Sequence, residues 1–179
     1  MSLEIDMKLQ DLYEQENKYW EPRTAILKEQ RNKAANEIKK AIFSFFEGKG
    51  FVISGSGHKF KATYKSGVEV DIDTKDLETP YVGSDGICTV KYKNQELIIS
   101  YLVSNGNLPQ EPMVSGRSKE DLDMKKIKFY EETLLPALDK IGVSDLDGSY
   151  TLISSVTVSG TKQRKKQNSV DELLSDFFS

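Results

Sequence analysis

The chain is expected to form an α+β fold: a mostly antiparallel sheet of about five strands packed with helices, a long N-terminal helical segment and a short C-terminal amphipathic helix. Three observations predict it. Residues 4–47 have a helical composition interrupted only by Pro22, residues 59–102 alternate apolar and polar side chains in hairpin-like pairs, and residues 170–178 carry apolar side chains at helical spacing. With 179 residues, the chain is long enough for one real core with an appended arm. The expected organisation is an N-terminal helical arm over 1–21, an α+β domain over 22–160, and a basic connector with an amphipathic helix over 161–179.

Glu21-Pro22 suits a boundary, because proline is tolerated at a first helical position and disfavours helix before it, so two helices or one kinked helix are expected. Ile5, Leu9, Leu12, Tyr13, Tyr19 and Trp20 make a patchy stripe; Leu27, Ala34, Ile38, Ala41, Ile42 and Phe45 make a cleaner one. Gly48 and Gly50 close the segment before an extended run from Phe51.

Phe60, Ala62 and Tyr64, and then Val68, Val70 and Ile72, alternate with charged residues. A three-residue loop, Lys65-Ser66-Gly67 with Gly67 left-handed, pairs Tyr64 with Val68, Ala62 with Val70 and Phe60 with Ile72. Lys61 then faces Asp71 and Lys59 faces Asp73. A second hairpin is expected around a two-residue turn at Asn94-Gln95, pairing Tyr92 with Leu97, Val90 with Ile99 and Cys88 with Tyr101. Ile87, Ile98 and Leu102 fill its other side, which implies a central place in the sheet or helices over both faces. Residues 104–118 form a long connection. A helix opens at Ser118 and is expected to kink or split near Leu135 because of Pro136; Gly142 closes it, and Tyr150 to Val158 make the fifth strand.

The composition excludes several classes. Charged residues make up 30% and hydrophobic residues 37%, with a net charge of −3, so any nucleic-acid contact must be local. No apolar run reaches the length of about 18 residues that spans a bilayer, and the N-terminus lacks a signal-peptide layout, so no membrane contact is expected and the expected location is cytoplasmic. Cys88 alone makes no internal disulfide and fits a reducing compartment. His58 is the only histidine, so neither a zinc-binding histidine pair nor a catalytic triad with a second base can form. No catalytic residue, metal or cofactor is therefore expected.

Two motifs invite chemistry. Ser54-Gly55-Ser56-Gly57 before His58 lacks the lysine and spacing of a phosphate-binding loop and reads as a turn or bulge. Glu69, Asp71 and Asp73 followed by Lys75 resemble the metal-dependent nuclease pattern of the PD-(D/E)xK class. That pattern wants acids turned toward an open cleft, whereas these acids face lysines of a neighbouring strand, as a salt-bridged sheet face requires. Asp145-Leu146-Asp147-Gly148 reads as a turn, because Val156 stands where a calcium loop would place its glutamate.

The last residues carry the strongest functional signal. Val170, Leu173, Leu174, Phe177 and Phe178 recur at i, i+3, i+4, i+7 and i+8, and Ser169 with Glu172 makes a capping box. A helix this short is marginal alone, so its stripe is buried either in the chain's own core or in a partner's groove. Those five residues are the candidate partner-binding set. Lys162, Arg164, Lys165 and Lys166 read as a tether and as candidate phosphate contacts, joined by Lys59, Lys61 and Lys65. The acidic, leucine- and phenylalanine-bearing segment 169–178 resembles the partner-recruiting tails of some phage-type single-stranded DNA-binding proteins. The leading expectation is a non-enzymatic accessory or adaptor protein acting through a protein partner, with self-association through the N-terminal arm. The alternatives are a nucleic-acid accessory protein and a divalent-metal nuclease using Asp71, Asp73 and Lys75.

Overall fold

The computed structural model describes residues 3–106, 108–109, 115–116, 118–158 and 161–179. Its first element, α1 (Leu3–Gly48), is a single helix that continues through Pro22. An internal proline removes one backbone donor and crowds the turn before it. Side chains supply donors to that turn: Arg23 Nη1 donates to the Tyr19 carbonyl at 2.7 Å and Thr24 Oγ1 to the Trp20 carbonyl at 2.8 Å.

Seven strands follow: β1 (Val52–Ser56), β2 (Lys59–Tyr64), β3 (Val68–Asp73), β4 (Gly86–Tyr92), β5 (Gln95–Val103), β6 (Tyr150–Val158) and β7 (Thr161–Gln167). They form one antiparallel sheet in sequence order. The α+β class is as expected, but the strand count is seven rather than five. Both added strands, β1 and β7, are the edges of the sheet. Part of β7 is the segment read from sequence as a tether. It was illegible because Gln163, Lys165 and Gln167 put polar groups on the side that faces the core, where alternation would have shown apolar ones.

Between β5 and β6 lie α2 (Lys119–Phe129), a π-helical turn (Tyr130–Leu134) and α3 (Leu135–Lys140). Ser118 caps α2 as expected, its hydroxyl accepting the Asp121 N–H at 3.2 Å. The break expected near Leu135 is the π turn, a wider loop of helix that accommodates Pro136. The chain ends in α4 (Val170–Phe178). The 104–118 connection falls largely outside the described residues.

The first hairpin has the expected register, Tyr64 with Val68 through Phe60 with Ile72. Its left-handed residue, however, is Lys65 at φ 50° and not Gly67. The second hairpin is displaced by two residues from expectation: Tyr92 pairs with Gln95, Val90 with Leu97 and Cys88 with Ile99. A shift of two keeps every side chain on its face, so alternation alone cannot detect it. The turn is Lys93-Asn94, with Lys93 left-handed at φ 55°, and the register places Lys91 Nζ 2.8 Å from Glu96.

The chain divides into two compact units, Met1–Lys28 with Ser104–Asp147, and Glu29–Val103 with Gly148–Ser179. In the first, Leu9 and Leu12 of α1 are buried with Ile127, Tyr130, Leu134 and Leu138. Tyr130 Oη donates to Glu16 at 2.9 Å, Tyr19 donates to Asp139, and the buried Arg23 donates to the Ile141 carbonyl, so polar bonds as well as apolar contacts fasten α1 to its neighbours there. In the second unit, Ala34, Ala35, Ile38 and Ile42 of α1 are buried with one face of the sheet, which carries Ala62, Val70, Ile72, Cys88, Val90, Leu97, Ile99 and Tyr101. The ring of Phe43 meets that of Phe60 at 4.9 Å, and Lys39 lies 4.5 Å over the Phe60 ring.

Candidate functional site

The C-terminal helix lies on its own sheet. Ser169 Oγ accepts the Glu172 N–H at 3.2 Å, and Glu172 reaches back to the Asn168 N–H at 3.3 Å, so the cap sets the start as its sequence implies. Val170, Leu173 and Leu174 are buried, with Leu174 fully enclosed. Phe177 and Phe178 are half-buried. The Phe178 ring stands 5.6 Å from Phe46, 5.8 Å from Tyr92 and 6.3 Å from Phe45. Three of the five candidate partner-binding residues are thus buried by the chain itself, Phe178 packs on its rings, and Leu173 and Phe177 border a cleft.

That cleft runs between α4 and the last three strands and has a volume of about 200 Å³. Leu97, Val156, Leu173 and Phe177 give it an apolar lining, while Gln163, Lys165 and Asp176 give it a polar border. Gln167 Nε2 donates to Asp176 at 2.9 Å, and Lys165 Nζ lies 3.9 Å from the same carboxylate. Among the described residues β7 pairs with β6 on one side only, and Gln163 to Lys166 are exposed. Its backbone therefore offers unpaired donors and acceptors beside the cleft.

Of the candidate phosphate contacts, Lys165 points to the α4 side, while Arg164 and Lys166 lie on the opposite face, in register with Ser155 and Ile153. The Lys162 side chain lies outside the described residues. Lys61 is engaged by Glu69 at 2.7 Å and by Asp71 at 3.9 Å. Lys59 stands opposite Asp73, and Lys65 lies 5.1 Å over the Tyr64 ring. The lysines of β2 are thus matched by acids, whereas neither Arg164 nor Lys166 has an acidic partner among the described residues.

The face of the sheet turned away from α4 carries Ile87, Ile98, Leu102 and Ile153 on adjoining strands, with Leu102 46% exposed. The apolar residues there implied a central place in the sheet or helices over both faces, and β4 and β5 do stand in the middle of the seven strands. Among the described residues of this unit, the two helices lie on the other face. Next to the apolar patch come Lys91 and Glu96, then Asp71 and Asp73. Asp73 Oδ1 accepts the Lys75 backbone N–H at 2.9 Å, so this carboxylate caps a turn. Among the described residues no group of three His, Cys, Asp or Glu side chains is placed to hold a metal ion, and no helix is long and apolar enough to cross a membrane.

Sequence reasoning missed a buried polar cluster. Asp85 is 6% exposed; its Oδ1 lies 2.6 Å from Arg31 Nε, and its Oδ2 accepts the Val103 N–H at 2.8 Å. Tyr101 Oη donates within reach of the Leu77 carbonyl at 3.0 Å and the Arg31 carbonyl at 3.2 Å. Burial, reinforced by the Asp85 charge, pushes the Tyr101 phenol up to about 12. Burial likewise lifts the Cys88 thiol to about 12, with Asp73 adding to the shift, so that cysteine is a core residue and not a nucleophile. Ser54 to Ser56 belong to β1, where a Cβ on Gly55 would stand 2.3 Å from the Lys59 carbonyl oxygen. His58 accepts the Thr74 N–H on its carbonyl at 2.8 Å. No protein-family model, curated protein or solved structure matches this chain.

Proposed function

We propose that this chain is a non-enzymatic adaptor working through protein–protein contacts, with the open face of the sheet as its main contact surface. The observation that carries this reading is the patch of Ile87, Ile98, Leu102 and Ile153, which crosses three strands and has charged rows beside it. An apolar centre with a polar rim is the anatomy of a recognition surface. Exposed Leu3 and Met7 on α1 offer a second contact, suited to self-association. A reducing cytoplasm suits the buried Cys88, which stays a thiol there.

The test places a photo-crosslinking amino acid at Leu102 of the full chain in cells, with one at the exposed Glu14 as control. A discrete adduct with a second protein at Leu102, lost in Ile98→Lys, is the expected result. No adduct above the control contradicts the reading. A nucleic-acid accessory role rests on the unmatched charges of Arg164 and Lys166. It would replace the adaptor reading if the folded chain bound single-stranded oligonucleotide with a steep salt dependence that Arg164→Glu removed.

A further inference from the structure

We propose that the free edge of β7 and the cleft beside it receive an extended peptide whose residues alternate between apolar and acidic, added to the sheet as an eighth strand. This deepens the adaptor reading by naming the chemistry of one partner and a second place where it binds. The edge supplies backbone hydrogen bonds, because among the described residues β7 pairs with β6 alone. An added strand has side chains pointing alternately to the two faces of the sheet. On the α4 side they meet the outer rim of the cleft, where Phe177 offers apolar contact beside Gln163 and Lys165. On the other side they meet Arg164 and Lys166, two residues apart on one face, exposed and without acidic partners among the described residues. The spacing of those two cations equals the repeat of a strand, so acids at alternate peptide positions stand opposite both.

The same charges argue against the other occupants. A second copy pairing edge to edge through β7 brings like charges together across the junction, which opposes it, and basic residues on an edge strand guard against such self-pairing. A single-stranded nucleic acid would use the cations but neither the backbone edge nor the apolar cleft, and Asp176 stands at its border.

The test uses the full chain and a fluorescein-labelled short peptide in which glutamate alternates with valine, followed by anisotropy. Saturable binding is expected, weakened about tenfold by Arg164→Glu with Lys166→Glu, since two attractive cross-strand pairs become repulsive. The same double variant should gain affinity for a peptide with lysine in place of glutamate. Phe177→Ala should weaken binding of both peptides alike, and methylating alternate peptide nitrogens should abolish it. Circular dichroism and a thermal melt confirm that each variant is folded. Absence of saturable binding to the folded parent chain overturns the proposal, as does binding indifferent to nitrogen methylation. Binding of oligo-dT in place of the peptide overturns it in favour of a phosphate surface, and a concentration-dependent dimer that Arg164→Glu tightens overturns it in favour of self-pairing. Leu102→Lys should leave peptide binding intact, so a failed cross-link at Leu102 with intact peptide binding removes the open-face reading alone.

Discussion

Cys88 and Tyr101 make the alkaline limb of stability a property of the core. Both hold their protons more tightly when folded: the thiol rises from 9.0 to about 12 and the phenol from 10.0 to about 12. Their contribution is complete below pH 9.0 and is lost as pH climbs toward about 12. Urea midpoints measured across that range should fall, and Cys88→Ala should flatten the early part of the decline. Thiol reagents should leave Cys88 unmodified in the folded chain below pH 9.0. Asp85→Ala strands the Val103 N–H and the Arg31 guanidinium. A loss of about 2–3 kcal/mol in urea unfolding is expected, held to that size because Arg31 stays partly in water. No sequence signal announced this pair, since Asp85 sits in Ser84-Asp85-Gly86, where an acid reads as turn chemistry.

At the scale of elements, the central strands were legible and the edges were not. β2 to β6 bury one side chain in two against helices, which prints apolar alternation on the sequence. β1 and β7 have less to bury, and one carries glycine and serine while the other carries lysine, arginine and glutamine. Turn chemistry was the second gap, because lysine at φ 50° and 55° is a strained choice that composition does not suggest. Lys65→Gly and Lys93→Gly should each raise stability by about 0.5–1 kcal/mol in urea unfolding. Gly67 is not left-handed and has open space where a Cβ would stand, so Gly67→Ala should add about 0.4–1 kcal/mol. The stripe of α4 was plain from its spacing, but periodicity does not say which surface receives it. The receiving rings are Phe45, Phe46 and Tyr92, from distant parts of the chain. Leu174→Ala, at a fully enclosed position, should cost about 3–5 kcal/mol by urea unfolding.

At the scale of the whole molecule, the helical segment 104–147 enters a meander sheet between β5 and β6 and joins the first half of α1 in its own compact unit. Among the described residues of the sheet unit, both helices lie on one face of the seven-stranded sheet. Leu102→Lys should change stability by less than about 0.5 kcal/mol, because the residue is nearly half exposed and removes no core contact. Residues 161–179 complete the sheet unit instead of trailing from it, and both the cleft and the free β7 edge exist only for that reason. Hydrogen exchange followed by mass spectrometry on the full chain tests this directly. The amides of Leu173 to Phe177 should exchange as slowly as those of β5, because opening them means uncovering the core. Exchange of both 161–167 and 173–177 at the rate of an unstructured peptide would contradict that arrangement and restore a tethered recognition helix.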